Sequence, residues 1–341
     1  MKLNVEELLQ TKAYDFLREN EHLKDKILFL CLGGSHSYGT NIETSDVDIR
    51  GVALDSKEDI IGITKFEQFL DEKTDTCIYS LSKFIQLVSN CNPNIIEMLF
   101  CKPEHYFWVS DAGRMILENR HLFLSKRAYH TFSGYAHAQL NKIENALARD
   151  ETAQPEKDRL EHINRSIANV RSSLANKFNL PENEVNTYVG QYGDKPEILI
   201  DLNLKGYPLS RLKSSIEEMT NVLRDYSKSI GHRNQKKDDL HFNKHMMHLI
   251  RLYLMGNEIL RTCDLHTFRT EDHDLLMAIR NGEYRTKDGG IKDEFYETLS
   301  KLESDAYELY KTSLLPKVAN KNKISKLMLE IYQKFLFNIE D

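Results

Sequence analysis

The sequence predicts an α+β protein, with a small mixed-sheet domain over residues 1–105 and a mainly helical domain over residues 106–341. Three observations carry this reading. Ile27 to Leu32 is a short, fully apolar run, the pattern of a strand buried on both faces. Two more strand-like runs, Asp46 to Leu54 and Asp75 to Ser80, follow within the first hundred residues. After about Lys102, apolar positions recur at helical spacing and strand-like segments nearly disappear.

In chain order, Val5, Leu8, Leu9, Phe16 and Leu17 predict an amphipathic helix over 4–20. The apolar strand at 27–32 ends in Gly33-Gly34-Ser35, which opens a polar loop. Asp46-Val47-Asp48-Ile49 alternates and predicts the second strand, and Thr76-Cys77-Ile78-Tyr79, β-branched and aromatic, predicts the third. Ser80 stands at the cap position of a helix running to about Ser89, and Asn92-Pro93-Asn94 restarts a short one over 95–100. Helices are then expected over 111–146, 156–178, 207–229, 239–262, 271–280, 293–312 and 322–338. Between them, Glu182 to Ile200 has strand character at Tyr188-Val189-Gly190 and Ile198-Leu199-Ile200. Trp108, near the boundary, is expected to pack the two domains together.

Bulk properties narrow the function. The chain has 341 residues, 40% hydrophobic and 29% charged, the composition of an ordinary globular protein. A net charge of −6 argues against a strongly basic nucleic-acid binder, though not against a local basic face. No apolar run approaches the ~18 residues of a membrane span. Glu6 and Glu7 stand where a signal peptide needs a basic and then apolar start, so a cytoplasmic protein is expected. Five scattered cysteines without a CxxC pair predict reduced thiols rather than a zinc site.

The stretch Leu30 to Val52 carries the chemistry. On a strand, Asp46 and Asp48 point to one face about 6–7 Å apart, and two such carboxylates repel unless a cation lies between them. Aspartate is a poor strand former, so its place there calls for compensation. Mg²⁺ supplies it, because Mg²⁺ favours one or two carboxylates plus substrate phosphates. The Gly-Gly-Ser turn brings backbone N–H groups and a hydroxyl close to a phosphate. Together they read as half of a nucleotide-handling site.

Gly34-Ser35 followed by Asp46-x-Asp48 after a strand resembles the signature of the DNA polymerase beta-like nucleotidyltransferase superfamily. The longer string Gly-Ser-His-Ser-Tyr-Gly-Thr…Ser-Asp-Val-Asp-Ile-Arg-Gly is similar to the predicted nucleotidyltransferases associated with RNA ligases in bacteria and their phages. So are Tyr79-Ser80-Leu81-x-Lys83-Phe84, Asn92-Pro93-Asn94-x-x-Glu97-x-Leu99-Phe100 and His248-x-x-Arg251-Leu252. The similarity is strongest over about residues 27–101 and patchy in the helical part. It implies that Gly34 and Ser35 hold the β/γ phosphates of a nucleoside triphosphate, and that Asp46 and Asp48 ligate Mg²⁺, two ions in all, with Mn²⁺ as the alternative metal. It also implies a third carboxylate on a neighbouring strand, activating the attacking hydroxyl. Asp75 is the best placed, as that base and as a third metal ligand, with Asp71 and Glu72 behind it; the plain alternative for Asp75 is a turn or strand cap.

The implied reaction is transfer of a nucleoside monophosphate from an NTP to an acceptor hydroxyl, with an RNA 3′ end as the preferred acceptor. A protein side chain or small molecule is the alternative acceptor, and a non-catalytic nucleotide- or RNA-binding module is the alternative without chemistry. His36 is placed to touch phosphate or to cap its turn. Arg50 shares the face of the acidic pair, to reach substrate or to pair with Asp48. Ser45 orients Asp46 or is a turn serine. Lys244, His248, Arg251, Met255 and Glu258, at helical spacing, share one face that reaches triphosphate or RNA or is simply a solvated or interdomain surface. Residues 205–261 hold eleven Lys/Arg against six Asp/Glu, a local excess suited to an anionic substrate. The polar end of the helix at Arg280-Asn281-Gly282-Glu283 is a candidate cleft lining.

Overall fold

The computed structural model describes residues 5–63, 65–150, 185–192, 195–202, 205, 239–287 and 289–338. The chain divides into two compact units, one of Met1–Asn145 with Asp239–Asp341 and the other of Ala146–Asp238.

The first unit is built on a five-stranded mixed sheet. Its strands are β1 (Ile27–Leu32), β2 (Ile49–Ala53), β3 (Gln68–Asp71), β4 (Thr76–Ser80) and β5 (Tyr106–Val109), in the order β3-β4-β2-β1-β5. β1 runs antiparallel to both β2 and β5, β3 antiparallel to β4, and β2 parallel to β4 with Ile49 opposite Thr76. β1 is interior to the sheet, which explains its unbroken apolar run: five of its six residues are buried. One strand, β5, comes from beyond residue 105, and Trp108 on it is exposed, its indole N–H donating to the Ile27 carbonyl. The expectation that Trp108 packs between domains is therefore corrected: it lies on an edge strand with its indole outward.

The helix expected over 4–20 is broken into α1 (Val5–Leu9), a 3-10 turn at Lys12–Tyr14 and α2 (Phe16–Glu19). Arg18 donates to the Leu9 carbonyl, so the group that a continued helix would satisfy is satisfied by a side chain. Val5, Leu9, Tyr14, Leu17 and Leu23 pack with Leu30, Leu32, Ile49 and Ile78 into one core. On the other face of β1, Phe29 meets Phe84 edge-on, 5.7 Å between ring centroids.

The expected polar loop after β1 contains a one-turn helix, α3 (Gly34–Tyr38). After β2, Ser56 caps α4 (Lys57–Ile61) in a reciprocal capping box with Asp59. Ser80 caps α5 (Leu81–Val88), accepting from Lys83 N–H, and Asn92 with Pro93 starts α6 (Pro93–Ile96), both as read from the sequence. The helix expected over 111–146 is divided into α7 (Asp111–Glu118), a 3-10 turn at Arg120–Phe123 and α8 (Arg127–Asp150). Asn119 and Arg120 side chains take up the Met115 and Leu117 carbonyls there, which ends the first segment.

In the second unit the described strands form an antiparallel hairpin, β6 (Val185–Tyr192) with β7 (Lys195–Leu202), pairing Tyr188 with Leu199 and Val189 with Ile198. The helices expected over 156–178 and 207–229, and most of the basic stretch from 205, lie outside the described residues.

The first unit continues with α9 (Asp239–Thr262), α10 (His273–Arg280), α11 (Asp293–Thr312) and α12 (Lys321–Ile331). α9 packs on α10 and α11, with Met246 and Met247 fully buried. Beyond α12, Tyr332 donates its hydroxyl to the buried Asp55 carboxylate, which also accepts from Ser82, so the C-terminal end is tied to the sheet. The architecture is thus α+β, a mixed sheet followed by a mainly helical C-terminal region. All five cysteines are free. Among the described residues, no helix is long and apolar enough to cross a membrane.

Candidate active site

The site begins where β1 ends. Gly33 N–H donates to the Asp48 carbonyl at 2.8 Å, which extends the β1–β2 pairing one step past the strands and brings the glycine turn against the acidic segment. Gly34 has φ +57, the left-handed region where glycine is favoured. A Cβ on Gly34 would fall inside the Asp48 carboxylate, and one on Gly33 would stand 2.8 Å from the Arg50 side chain. The absence of side chains here is what lets the carboxylate lie flat against the backbone. Ser35 is buried in the first turn of α3, and Ser37, not Ser35, closes that turn by donating to the Gly34 carbonyl.

The acidic pair is not on the strand. β2 starts at Ile49, so Asp46 and Asp48 lie in the segment leading into it, Asp46 exposed and Asp48 half-buried. The alternation over Asp46-Val47-Asp48-Ile49 falls on irregular backbone, because both ladders of β2 start at Ile49, opposite Leu32 on β1 and Thr76 on β4. Asp75, expected at the start of the third strand, stands one residue before β4, the fourth in chain order, with φ 46. Aspartate is among the few non-glycine residues that tolerate this region. The parallel register sets Ile49 opposite Thr76, and Ile49 N–H donates to the Asp75 carbonyl. Asp48 and Asp75 are therefore neighbours across the two strands' common N-terminal edge, about 5 Å apart along the pairing direction. Asp71 is occupied elsewhere: its carboxylate accepts from the Thr74 amide and hydroxyl and holds the β3–β4 turn. Glu72 is exposed in that turn.

Burial pushes the Asp48 carboxyl above its usual range, the nearby Asp75 charge adds to this, and Arg50 and Lys244 pull it back. Arg50 pairs with Asp48 at 2.7 Å and also donates to the main-chain carbonyl of Asp75. The guanidinium thus spans the two acidic positions. Both readings of Arg50 began from its place beside Asp48, and the pairing is the one present here.

Ser45 meets two other candidates. Its hydroxyl accepts from Ile42 N–H and from Arg280, and its carbonyl lies 3.4 Å from His36 Nε2. His36 and Ser45 are thus brought together at the mouth of the acidic segment.

The α9 stripe divides. Lys244 is exposed and its charge acts on Asp48. His248 lies edge-on to the Tyr38 ring. Burial and then the charges of Arg251, Lys244, His245 and Arg280 push its pKa well below the ordinary value. Arg251, expected to face phosphate, is turned into the core: it pairs with Glu97 at 2.5 Å and stacks on Tyr38, 3.7 Å from the ring centroid. Tyr38 donates to the other Glu97 oxygen at 2.5 Å. The helix spacing that grouped Arg251 with Lys244 and His248 could not show Glu97 waiting beneath. Farther along, Glu258 pairs with Arg269, whose own N–H donates to the Tyr38 carbonyl. α9 and the segment after it are in this way riveted to the end of α3, which fixes the glycine turn.

As donors, Asp46, Asp48 and Asp75 offer hard oxygens of the type Mg²⁺ and Mn²⁺ prefer. Among the described residues, no three His, Cys, Asp or Glu side chains converge into a ligand group. The donor set therefore fits an ion that takes one or two carboxylates and completes its shell from substrate phosphates, not a preformed cage.

Compared with known proteins, residues 5–278 match the model of a family described as the RNA repair pathway DNA polymerase beta family. A protein of Enterobacteria phage T4, described as an uncharacterized 38.9 kDa protein in the nrdC-mobD intergenic region, is 23% identical over 317 residues, covering 84% of this chain and 91% of its own. No solved structure matches.

Proposed function

This chain belongs to the RNA repair pathway DNA polymerase beta family, and from that premise we propose that it is a Mg²⁺-dependent nucleotidyltransferase moving a nucleoside monophosphate from an NTP to an acceptor hydroxyl, an RNA 3′ end foremost. The observation that carries the proposal is the seat of Asp48, pressed against the side-chain-free Gly34 and facing Asp75 across the edge of β2 and β4. A phosphate chain laid along the Gly33–Gly34 turn would come within reach of both acids.

In this reading the chain's own groups align the reactants. With the Gly33 N–H taken by the Asp48 carbonyl, the N–H groups that open α3 and the Ser35 hydroxyl receive the β and γ phosphates. Asp46 and Asp48 hold the metal, which when bound supplies positive charge to the phosphate oxygens. Asp75 takes the proton of the attacking hydroxyl as a general base. The oxygen–phosphorus bond forms at the α-phosphorus, the bond to the β-phosphate oxygen breaks, and pyrophosphate leaves. Arg50, paired with Asp48 and bonded to the Asp75 carbonyl, holds the two acidic positions side by side. Most of the rate gain comes from alignment and fixed charge.

One observation favours a second reading, a nucleotide- or RNA-binding module without transfer: Arg50 already pairs with the Asp48 carboxylate. Incubating the chain with α-labelled NTP, Mg²⁺ and either total RNA or total protein separates these readings. Label on RNA 3′ ends supports the proposal, label on protein moves the acceptor, and no label on any acceptor favours the binding module.

A further inference from the structure

Burying a cation without a counter-charge is unfavourable, and such a group marks a place where an anion is missing. Arg280 is such a cation. It ends α10 and is 7% exposed, so its guanidinium is enclosed. Nη2 donates to Ser45 Oγ at 3.2 Å, and among the described residues Nη1 has no hydrogen-bond partner. Burial lowers its basicity, and among the described residues no carboxylate pairs with it.

Two more buried polar atoms without partners, His248 Nδ1 and Asn243 Oδ1, lie on α9. Arg280 acts on His248 through its charge, and Asn243 abuts Gly282 just past the end of α10, its amide nitrogen 2.9 Å from where a Cβ would stand. Lys244, between them in sequence, acts on Asp48. The end of α10, α9 and the Ser45 loop therefore meet where Arg280, His248 and Asn243 carry buried polar atoms without partners among the described residues, with the exposed Lys244 nearby. A guanidinium with a free edge matches two phosphate oxygens, and a neutral imidazole supplies a further donor in one tautomer.

We propose that Arg280, with Lys244 and His248, forms a phosphate subsite beside Ser45. The choice of phosphate as the anion rests on the nucleotidyltransferase reading. Its source is the triphosphate of the NTP or a terminal phosphate of the nucleic-acid acceptor. The family match ends at residue 278, so Arg280 lies outside it, and its hydrogen bond to Ser45 is what joins it to the loop before the acidic pair.

Calorimetric titration of the full chain in EDTA tests this, using sodium tripolyphosphate, an oligoribonucleotide phosphorylated at both ends, and its dephosphorylated twin. The wild type is expected to bind tripolyphosphate, or to prefer the phosphorylated oligonucleotide; which of the two occurs identifies the source. Arg280→Gln is expected to lose that binding by about tenfold or more, and Arg280→Lys to retain part of it. Tripolyphosphate or the phosphorylated oligonucleotide should raise the melting temperature of the wild type and not of Arg280→Gln. Without ligand, Arg280→Gln should melt at or above the wild type, because it removes an uncompensated buried charge. Wild-type binding of every probe by Arg280→Gln overturns the subsite, as does a wild type that binds neither probe. Because metal and transfer chemistry are left out, a chain that binds through Arg280 yet transfers nothing sinks the proposed function and leaves the subsite standing.

Discussion

Arg251 on α9 and Arg280 at the end of α10 are both buried, 3% and 7% exposed, and both approach the segment between β1 and β2. They differ in what meets them. Arg251 has Glu97 at 2.5 Å and the Tyr38 ring against its guanidinium. Arg280 has a single serine hydroxyl and an idle Nη1. The first closes the fold around the end of α3, and the second leaves charge unpaired beside Ser45. Burial by itself does not tell a structural cation from a binding one; the presence of a counter-charge does.

The comparison breaks most sharply if Arg251 is made to resemble Arg280. Glu97→Ala leaves Arg251 uncompensated in the core and strips the Tyr38 hydroxyl of its acceptor. It should lower unfolding free energy by about 3–5 kcal/mol in a denaturant titration, the usual cost of breaking a buried pair. A loss under about 1 kcal/mol would mean that Arg251 is as tolerant of solitude as Arg280. The reverse exchange is Ser45→Asp, which gives Arg280 a carboxylate. It is expected to stabilise the free chain by about 1 kcal/mol and to remove tripolyphosphate binding, since the counter-charge is then internal. Retained binding would place the anion elsewhere.

A smaller effect, at an ordinary hydrogen-bonded carboxylate, sets the scale for both. Burial pushes the Asp59 carboxyl up, but the Ser56 hydroxyl and amide and the Phe66 amide outweigh it, so its pKa is lowered in the fold. The stabilisation it gives is present above the unfolded value of about 3.9 and is lost as pH falls through the folded one. Asp59→Asn should cost about 0.5–1 kcal/mol at pH 7 and flatten the acid limb of the stability–pH curve. An unchanged acid limb would show that the capping box of α4 contributes nothing.

What the sequence revealed follows the same division between local and distant causes. β1, α5 and α9 were legible because an apolar run, a cap serine and a long helical period are local signals. β3 was not: Gln68 to Asp71 is a short edge strand with alternate residues exposed, made a strand by pairing with β4 rather than by its own pattern. The glycine turn and the acidic pair were legible as motif, yet their backbone was misjudged, since Asp46 and Asp48 precede β2 and the turn forms α3. The fates of the arginines were hidden altogether. Glu97 is 154 residues from Arg251, and Ser45 is 235 from Arg280, so no window of sequence contains either pair.

The account stands or falls on Asp48. Pyrophosphate release should be followed with Mg²⁺, each NTP in turn and an RNA oligonucleotide carrying a free 3′ hydroxyl, for the wild type and for Asp48→Asn. Release by the wild type, slowed by about a thousandfold or more in a variant whose melting temperature is unchanged, is the expected result. No release with any NTP, or equal rates for the two proteins, would contradict it.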